Sequence, residues 1–337
     1  VTDNMKLGDA TVKNLEFGVG YKSTKVDGVL GIGYPSNEAI LEQPGTSSYK
    51  NLPQLLVQQN YIQSTAFSLW LNDLQASTGQ ILFGGVNTDK YHGSLTTLAT
   101  QGSAGKTGTT EFNVALTGVG FSVDGENSTI TSGSLPGAVL LDSGSSLSYL
   151  PDDIASAITS EVQAVYSQSE GVYLVDCSLA GNSSYVTFTF SDLRIAVPFS
   201  ELVVEANNSN ECIFGIVNAG NSPNILGDTF LRSAYVVYDL DNNQISIAQT
   251  NFNSTQDAIV EIGTGTTAVP DATGVANPAT ADSTATGGGR LGLPSGSATT
   301  TGGGSGPSTT HSKGGAYQTQ IPLGAVAMAG MGALWAL

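Results

Sequence analysis

The run Ala138-Val139-Leu140-Leu141-Asp142-Ser143-Gly144-Ser145-Ser146-Leu147-Ser148-Tyr149-Leu150-Pro151 presents the chain's best-placed acid. An apolar stretch ends on Asp142, Ser143 and Gly144 turn the backbone, and the hydroxyls of Ser145 and Ser146 follow. One carboxylate thus stands at a strand end among short hydrogen-bond donors. A carboxylate held in this way can be tuned as a general acid or base. Asp-Ser-Gly alone is a weak signal in a chain with 42 glycines. A solvated turn after a buried strand is the competing reading, and the flanks decide against it.

The elements around this run read mainly as strands. Thr11–Val19, Tyr185–Phe190 and Gln244–Ala248 alternate apolar and polar residues at period two. Tyr235–Leu240 followed by Asp241-Asn242-Asn243 predicts a hairpin turn into the last of these. Two short helices are expected. Leu52–Gln59 has Pro53 near its start, and Pro151 to about Tyr166 has acidic residues in its first turn. The second helix would pack on the strand that bears Asp142.

Composition excludes some functions. The net charge is −17, from 28 acidic against 11 basic residues. Nucleic acid needs a basic surface, so it is excluded as a partner. Few cations remain to repel one another at acid pH, which suits an acid environment; simple solubility explains the charge equally well. Cys177 and Cys212 lie 35 residues apart. They admit three readings: buried thiols, a metal pair or one disulfide. The two histidines, His92 and His311, make no ligand spacing with them, so no metal is expected. Four Asn-x-Ser/Thr sequons, at Asn127, Asn182, Asn207 and Asn253, mark a secreted context. That context favours the disulfide.

Four segments in one order resemble the pepsin-like aspartic protease family. Ala138–Pro151 resembles its second catalytic motif. Asp27-Gly28-Val29-Leu30-Gly31-Ile32-Gly33 resembles a first-lobe segment. Phe67–Asn72 with Gly79–Val86 resembles its F-S-L-x-L and G-x-L-x-F-G-G stretch. Asn224-Ile225-Leu226-Gly227-Asp228-Thr229-Phe230-Leu231-Arg232 resembles the second-lobe I-L-G-D-x-F-L-R. The resemblance covers about residues 1–250. It implies a mainly all-β, bilobal fold and an endopeptidase that hydrolyses peptide bonds through water and two carboxylates, without a cofactor. By the same resemblance Asp142 is catalytic, Ser145 hydrogen-bonds its outer oxygen, Ser143 braces the two catalytic loops, and Gly144 lets the turn form. Ser146 and Tyr149 border the cleft or pack, with packing favoured for Tyr149. The family's habit of one bridge in the second lobe implies Cys177–Cys212.

Domain limits follow. Residues 1–107 are expected to be the remainder of a first lobe and 108–250 the second lobe. Residues 251–313 form a Ser/Thr/Gly/Pro-rich stalk too poor in apolar residues to fold. Residues 314–337 end in an uncharged apolar stretch of 17 residues from Ile321. As a helix it would reach about 25 Å, short of a hydrocarbon core of about 30 Å. With small residues and a polar spacer ahead of it, this is the layout of a GPI-attachment signal, with Ser308, Ser312 and Gly314 as candidate sites. A tail anchor is the alternative. Asn182-Ser183-Ser184-Tyr185 with the stalk points to the fungal, membrane-anchored, yapsin-like branch, which favours basic residues at the cut. The expected place is the outer face of the plasma membrane or the cell wall, with peptides or proteins as substrates and the chain a monomer.

The first lobe is expected to be incomplete. Asp142 is the only Asp followed by Ser/Thr-Gly. Its offset from Leu226, applied to the matching Leu30, puts a partner Asp about 54 residues ahead of residue 1. No signal peptide follows Val1. The expectation is an enzyme whose first catalytic Asp lies upstream or on a paired N-terminal chain, so that this chain alone is inactive. The alternative is a non-catalytic pepsin-fold protein that binds ligands at the cell surface.

Overall fold

A computed structural model of the chain describes residues 1–21, 28–42, 44–103, 108–123, 125–205 and 210–281. Among these residues strands dominate and helices are few and short. Alternation translates directly into burial. In Tyr185–Phe190, Val186, Phe188 and Phe190 are fully buried while Tyr185, Thr187 and Thr189 keep some exposure. This strand lies between Gly118–Val123 and Leu193–Pro198 in a four-stranded sheet.

A five-stranded sheet carries the Asp142 run. Its order is Ile216–Asn218, Ser148–Leu150, Ile225–Leu226, Gly137–Leu141 and Asn113–Leu116. Ile225–Leu226 runs parallel to Gly137–Leu141 and antiparallel to Ser148–Leu150. Residues 142–147 therefore leave one neighbour of Ile225–Leu226 and return on its other side. Helix Asp152–Glu161 follows and buries Ile154, Ala155 and Ile158. Its first turn holds Asp152 and Asp153, which suits the positive end of the helix dipole. The helix stops five residues short of the expected Tyr166. Gln163 takes a left-handed conformation at φ 53°, and Val165–Ser167 instead pairs as a strand with Val172–Asp176.

A six-stranded sheet joins distant parts of the chain. Its order is Thr273–Gly274, Tyr91–Ala99, Gln244–Thr250, Ala234–Asp239, Ala66–Trp70 and Gln80–Phe83. Ala66–Trp70 and Ala234–Asp239 are buried at every position, as central strands covered on both faces are. Residues 234–250 were expected within a second lobe of 108–250. They pair here with strands from residues 66–99, so this sheet crosses the expected limit near residue 107.

Residues 251–281 correct the expected stalk. Ile259–Glu261 pairs with Gly85–Asn87, and Thr273–Gly274 pairs with the edge strand Tyr91–Ala99. Ile262 and Val269 are buried with Trp70, Tyr91 and Tyr235. The Lys90 ammonium binds the carbonyls of Ser254 and Gln256 at 2.9 and 2.8 Å and the Asp257 carboxylate at 3.2 Å. A segment poor in apolar residues can fold when its backbone completes existing sheet edges, because two anchors then suffice. The rest of the stalk and residues 314–337 lie outside the described residues.

Two segments expected to be equivalent also differ. Ile225 and Leu226 are buried between their flanking strands, whereas Val29 and Leu30 are 59% and 41% exposed. Among the described residues no strand flanks Val29 and Leu30. Hairpin Thr2–Leu7 with Ala10–Glu16 is anchored through Val12 on Leu52, Leu55 and Leu56 of helix Leu52–Gln58.

Candidate active site

Strand Gly137–Leu141 delivers Asp142 to the end of the five-stranded sheet, where it is half-buried. The Gly144 N–H donates to its Oδ1 at 2.9 Å, and the Ser145 hydroxyl donates to its Oδ2 at 2.8 Å. Each oxygen of the carboxylate is therefore held by one donor, which fixes the plane of the group. The Asp142 N–H donates to the Leu226 carbonyl at 3.1 Å, so its backbone is fixed by the neighbouring parallel strand. Ser143 stands exposed at the turn. Tyr149 is buried with Leu147, Val217 and Ile225, so it packs.

Helix Asp228–Leu231 closes the loop from behind. The Asp228 N–H donates to the Ser145 carbonyl at 2.8 Å, and the Thr229 N–H donates to the Ser146 carbonyl at 3.2 Å. The Ser148 and Thr229 hydroxyls lie 3.0 Å apart, and Thr229 donates to the Gly215 carbonyl at 2.9 Å. Gly227 is required here: a Cβ at this position would overlap the carbonyl oxygens of Ser145 and Leu147. The loop and the helix thus form one hydrogen-bonded block.

That block places a second carboxylate near the first. Burial pushes the Asp228 carboxyl up to about 7; Arg232 pulls it down and the charge of Asp142 pushes it further up. Arg232 is itself held. Its Nε meets Glu201 Oε2 at 2.7 Å and its Nη2 donates to the Glu201 carbonyl at 2.6 Å, with both side chains nearly enclosed. The Leu74 N–H also donates to Glu201 Oε2 at 3.0 Å. Burial raises the Glu201 carboxyl, and Arg232 opposes that rise. Asp228 sits inside a motif readable in the sequence, but nothing in its neighbours along the chain indicates that it meets Asp142. Its nearest signal is Arg232 four residues later, the spacing of one helical turn.

Cys177 and Cys212 form a disulfide. Asn127 is exposed on strand Glu126–Ile130, Asn182 is half-buried and accepts from the Ser184 N–H at 3.0 Å, and Asn253 is exposed. Asn207, Ser308, Ser312 and Gly314 lie outside the described residues. Two clefts, of about 430 Å³ at Lys13, Gln59 and Tyr61 and about 550 Å³ at Trp70, Lys90 and Asp257, include none of residues 142–147.

A mostly β fold that presents a carboxylate held by Ser and Gly donors, on a loop locked to a Gly-Asp helix start, is that of the pepsin-like aspartic proteases. A family profile described as eukaryotic aspartyl protease matches residues 1–250. The chain belongs to this family. It is 52% identical over 306 residues to a probable aspartic-type endopeptidase opsB of Aspergillus fumigatus, covering 89% of this chain and 63% of that one. It is 53% identical over 321 residues to the opsB protein of Aspergillus oryzae, covering 91% and 66%. Aspartic proteinase yapsin-3 of Saccharomyces cerevisiae is 38% identical over 263 residues, covering 75% and 51%. This chain therefore spans less than two thirds of the length of each of these three relatives. The crystal structure of an aspartic proteinase from Irpex lacteus shares the fold, with a TM-score of 0.62 at 19% identity, over 76% of this chain and 78% of that one.

Proposed function

We propose that this chain carries one half of the active site of an aspartic endopeptidase, with Asp142 as its catalytic carboxylate. The observation that supports this most is the pair of donors, Gly144 N–H and Ser145 Oγ, that orients Asp142 at a strand end. In such an enzyme one carboxylate takes a proton from water while the other protonates the scissile carbonyl. Like charges a few ångströms apart resist joint ionisation, so the two share one proton and titrate as a unit. One aspartate cannot serve both roles in the same step. The second is assigned to an upstream aspartate-bearing segment, and the chain by itself is inactive.

The test compares the chain with an upstream-extended chain on peptides containing basic residues between about pH 3 and 6. The extended chain is expected to cleave, to be blocked by a statine-type transition-state analogue, and to lose activity on Asp142→Asn. Comparable cleavage by the chain alone would refute the paired mechanism. Retained activity in Asp142→Asn would refute the choice of Asp142.

The cellular setting is proposed from the sequence. The sequons support N-glycosylation at Asn127, Asn182, Asn207 and Asn253. The C-terminal layout supports a GPI anchor at the outer cell surface. The acidic balance and the resemblance to the yapsin-like branch support a preference for basic residues. Release from membranes by a GPI-specific phospholipase would support the anchor, whereas Trp335 in peptides of the mature protein would exclude it.

A further inference from the structure

Asn253 opens the sequon Asn253-Ser254-Thr255 and lines the larger of the two clefts, of about 550 Å³, together with Asn72, Gln75, Thr78, Gln80 and Thr255. Residues of loop 71–79, which joins strand Ala66–Trp70 to strand Gln80–Phe83, thus meet residues 253–257 across it. The volume falls within the about 300–1,000 Å³ of small-ligand sites.

The cleft carries no uncompensated charge. Lys90 and Asp257 are the charged residues in its lining, and they pair at 3.2 Å. The Lys90 ammonium also donates to the Ser254 and Gln256 carbonyls and lies 4.6 Å from the centre of the Trp70 ring. Amides and hydroxyls make up most of the remaining lining. Such a surface offers donors and acceptors without net charge, which suits a neutral sugar rather than an anion or a metal ion.

Asn253 is exposed, yet its position is fixed. Its N–H donates to Asn72 Oδ1 at 2.8 Å, and its Nδ2 donates to Asp73 Oδ2. Asp73 Oδ1 accepts the Gln75 N–H at 2.8 Å. The amide nitrogen of the sequon is therefore directed toward the Asn72–Gln75 wall. N-glycosylation replaces one Nδ2 hydrogen. The bond from Nδ2 to the anomeric carbon of the sugar forms, the bond from that carbon to the diphosphate of a lipid-linked donor breaks, and the proton is released. The second Nδ2 hydrogen remains for Asp73.

We propose that this cleft seats the first sugar of an N-linked glycan on Asn253, which braces residues 253–257 against loop 71–79. Covalent attachment keeps the sugar at high effective concentration, so a few hydrogen bonds suffice to hold it. The proposal rests on the N-glycosylation reading of Asn253 and is independent of the peptidase reading.

The test uses the full chain produced through a fungal secretory pathway. Glycosidase release in heavy-oxygen water marks each occupied asparagine for mass spectrometry, and Asn253 is expected to be marked. The side chains of Gln75 and Thr78 are exposed and bond to no other described residue, so Gln75→Ala/Thr78→Ala alters the wall and spares the fold. Release of the Asn253 glycan from the native protein is expected to be at least about fivefold faster in this variant, through the loss of two neutral hydrogen bonds. Thr255→Ala removes the sequon and keeps Asn253. Its melting temperature is expected to fall by about 2–4 °C, with Thr255→Ser at the wild-type value. An Asn253 without glycan would overturn the proposal and the N-glycosylation reading of that residue together. A glycan on Asn253 whose release is no faster in the double variant, or a melting temperature unchanged by Thr255→Ala, would overturn the proposal alone.

Discussion

The Asp228 N–H donates to the Ser145 carbonyl at 2.8 Å, and the Ser145 hydroxyl donates to Asp142 Oδ2 at the same distance. Ser145 therefore connects two acidic residues, Asp142 and Asp228, that lie far apart in the chain. Its backbone fixes the helix behind the site, and its side chain fixes the carboxylate in front. Ser145→Ala keeps the first link and removes the second. We expect a stability loss of about 1–2 kcal/mol in urea unfolding with an unchanged m-value. In the upstream-extended enzyme the loss of activity should exceed what that loss of folded protein explains.

Gly227→Ala tests the block that joins loop and helix. The added methyl meets the carbonyls of Ser145 and Leu147, and the Ser145 carbonyl cannot move without breaking its bond to the Asp228 N–H. Overpacking of backbone should cost at least about 2–3 kcal/mol. A denaturation midpoint equal to wild type would show that the loop and helix separate freely.

Stability should fall as pH rises from acid to neutral. The Asp228 carboxyl is raised from 3.8 to about 7, chiefly by burial. Its contribution is fully present below the unfolded value and is lost as pH rises through the folded one. Glu201, also raised by burial, acts with the same sign. Asp153 acts oppositely: the Ser132 and Ser134 hydroxyls lower it, so its contribution is lost as pH falls below the usual aspartate range. Melting temperatures measured from pH 3 to 8 should decline between about pH 4 and 7, and Asp228→Asn should flatten that decline.

The bridge between Cys177 and Cys212 closes a loop of 35 residues. In the chain-entropy description this stabilises by about 4 kcal/mol. Reduction, or replacement of both cysteines by serine, should lower stability by that order. Thiol titration of the unfolded, unreduced protein should find no reactive groups.

A chain ending at Thr250 should be markedly less stable than one retaining residues 251–281. It loses the buried side chains of Ile262 and Val269 and uncovers Trp70, Tyr91 and Tyr235. Burial of the two aliphatic side chains alone is worth about 3–5 kcal/mol. Equal urea midpoints for the two chains would show that the segment only rests on the surface.

The sequence by itself determined what depends on neighbours along the chain. Asp142, Gly144 and Ser145 lie within four positions, so their mutual hydrogen bonds follow from one turn. The alternation of Tyr185–Phe190 fixes which face is buried whatever it packs on. Tertiary structure decided what depends on distant chain meeting. Only the parallel pairing of Gly137–Leu141 with Ile225–Leu226 brings Asp228 to Asp142. Only the six-stranded sheet joins strands of residues 66–99 to those of residues 234–250. Composition misjudged residues 251–281, because strand pairing is satisfied by backbone groups that every residue carries, and residue type does not reveal where a sheet edge waits to be completed.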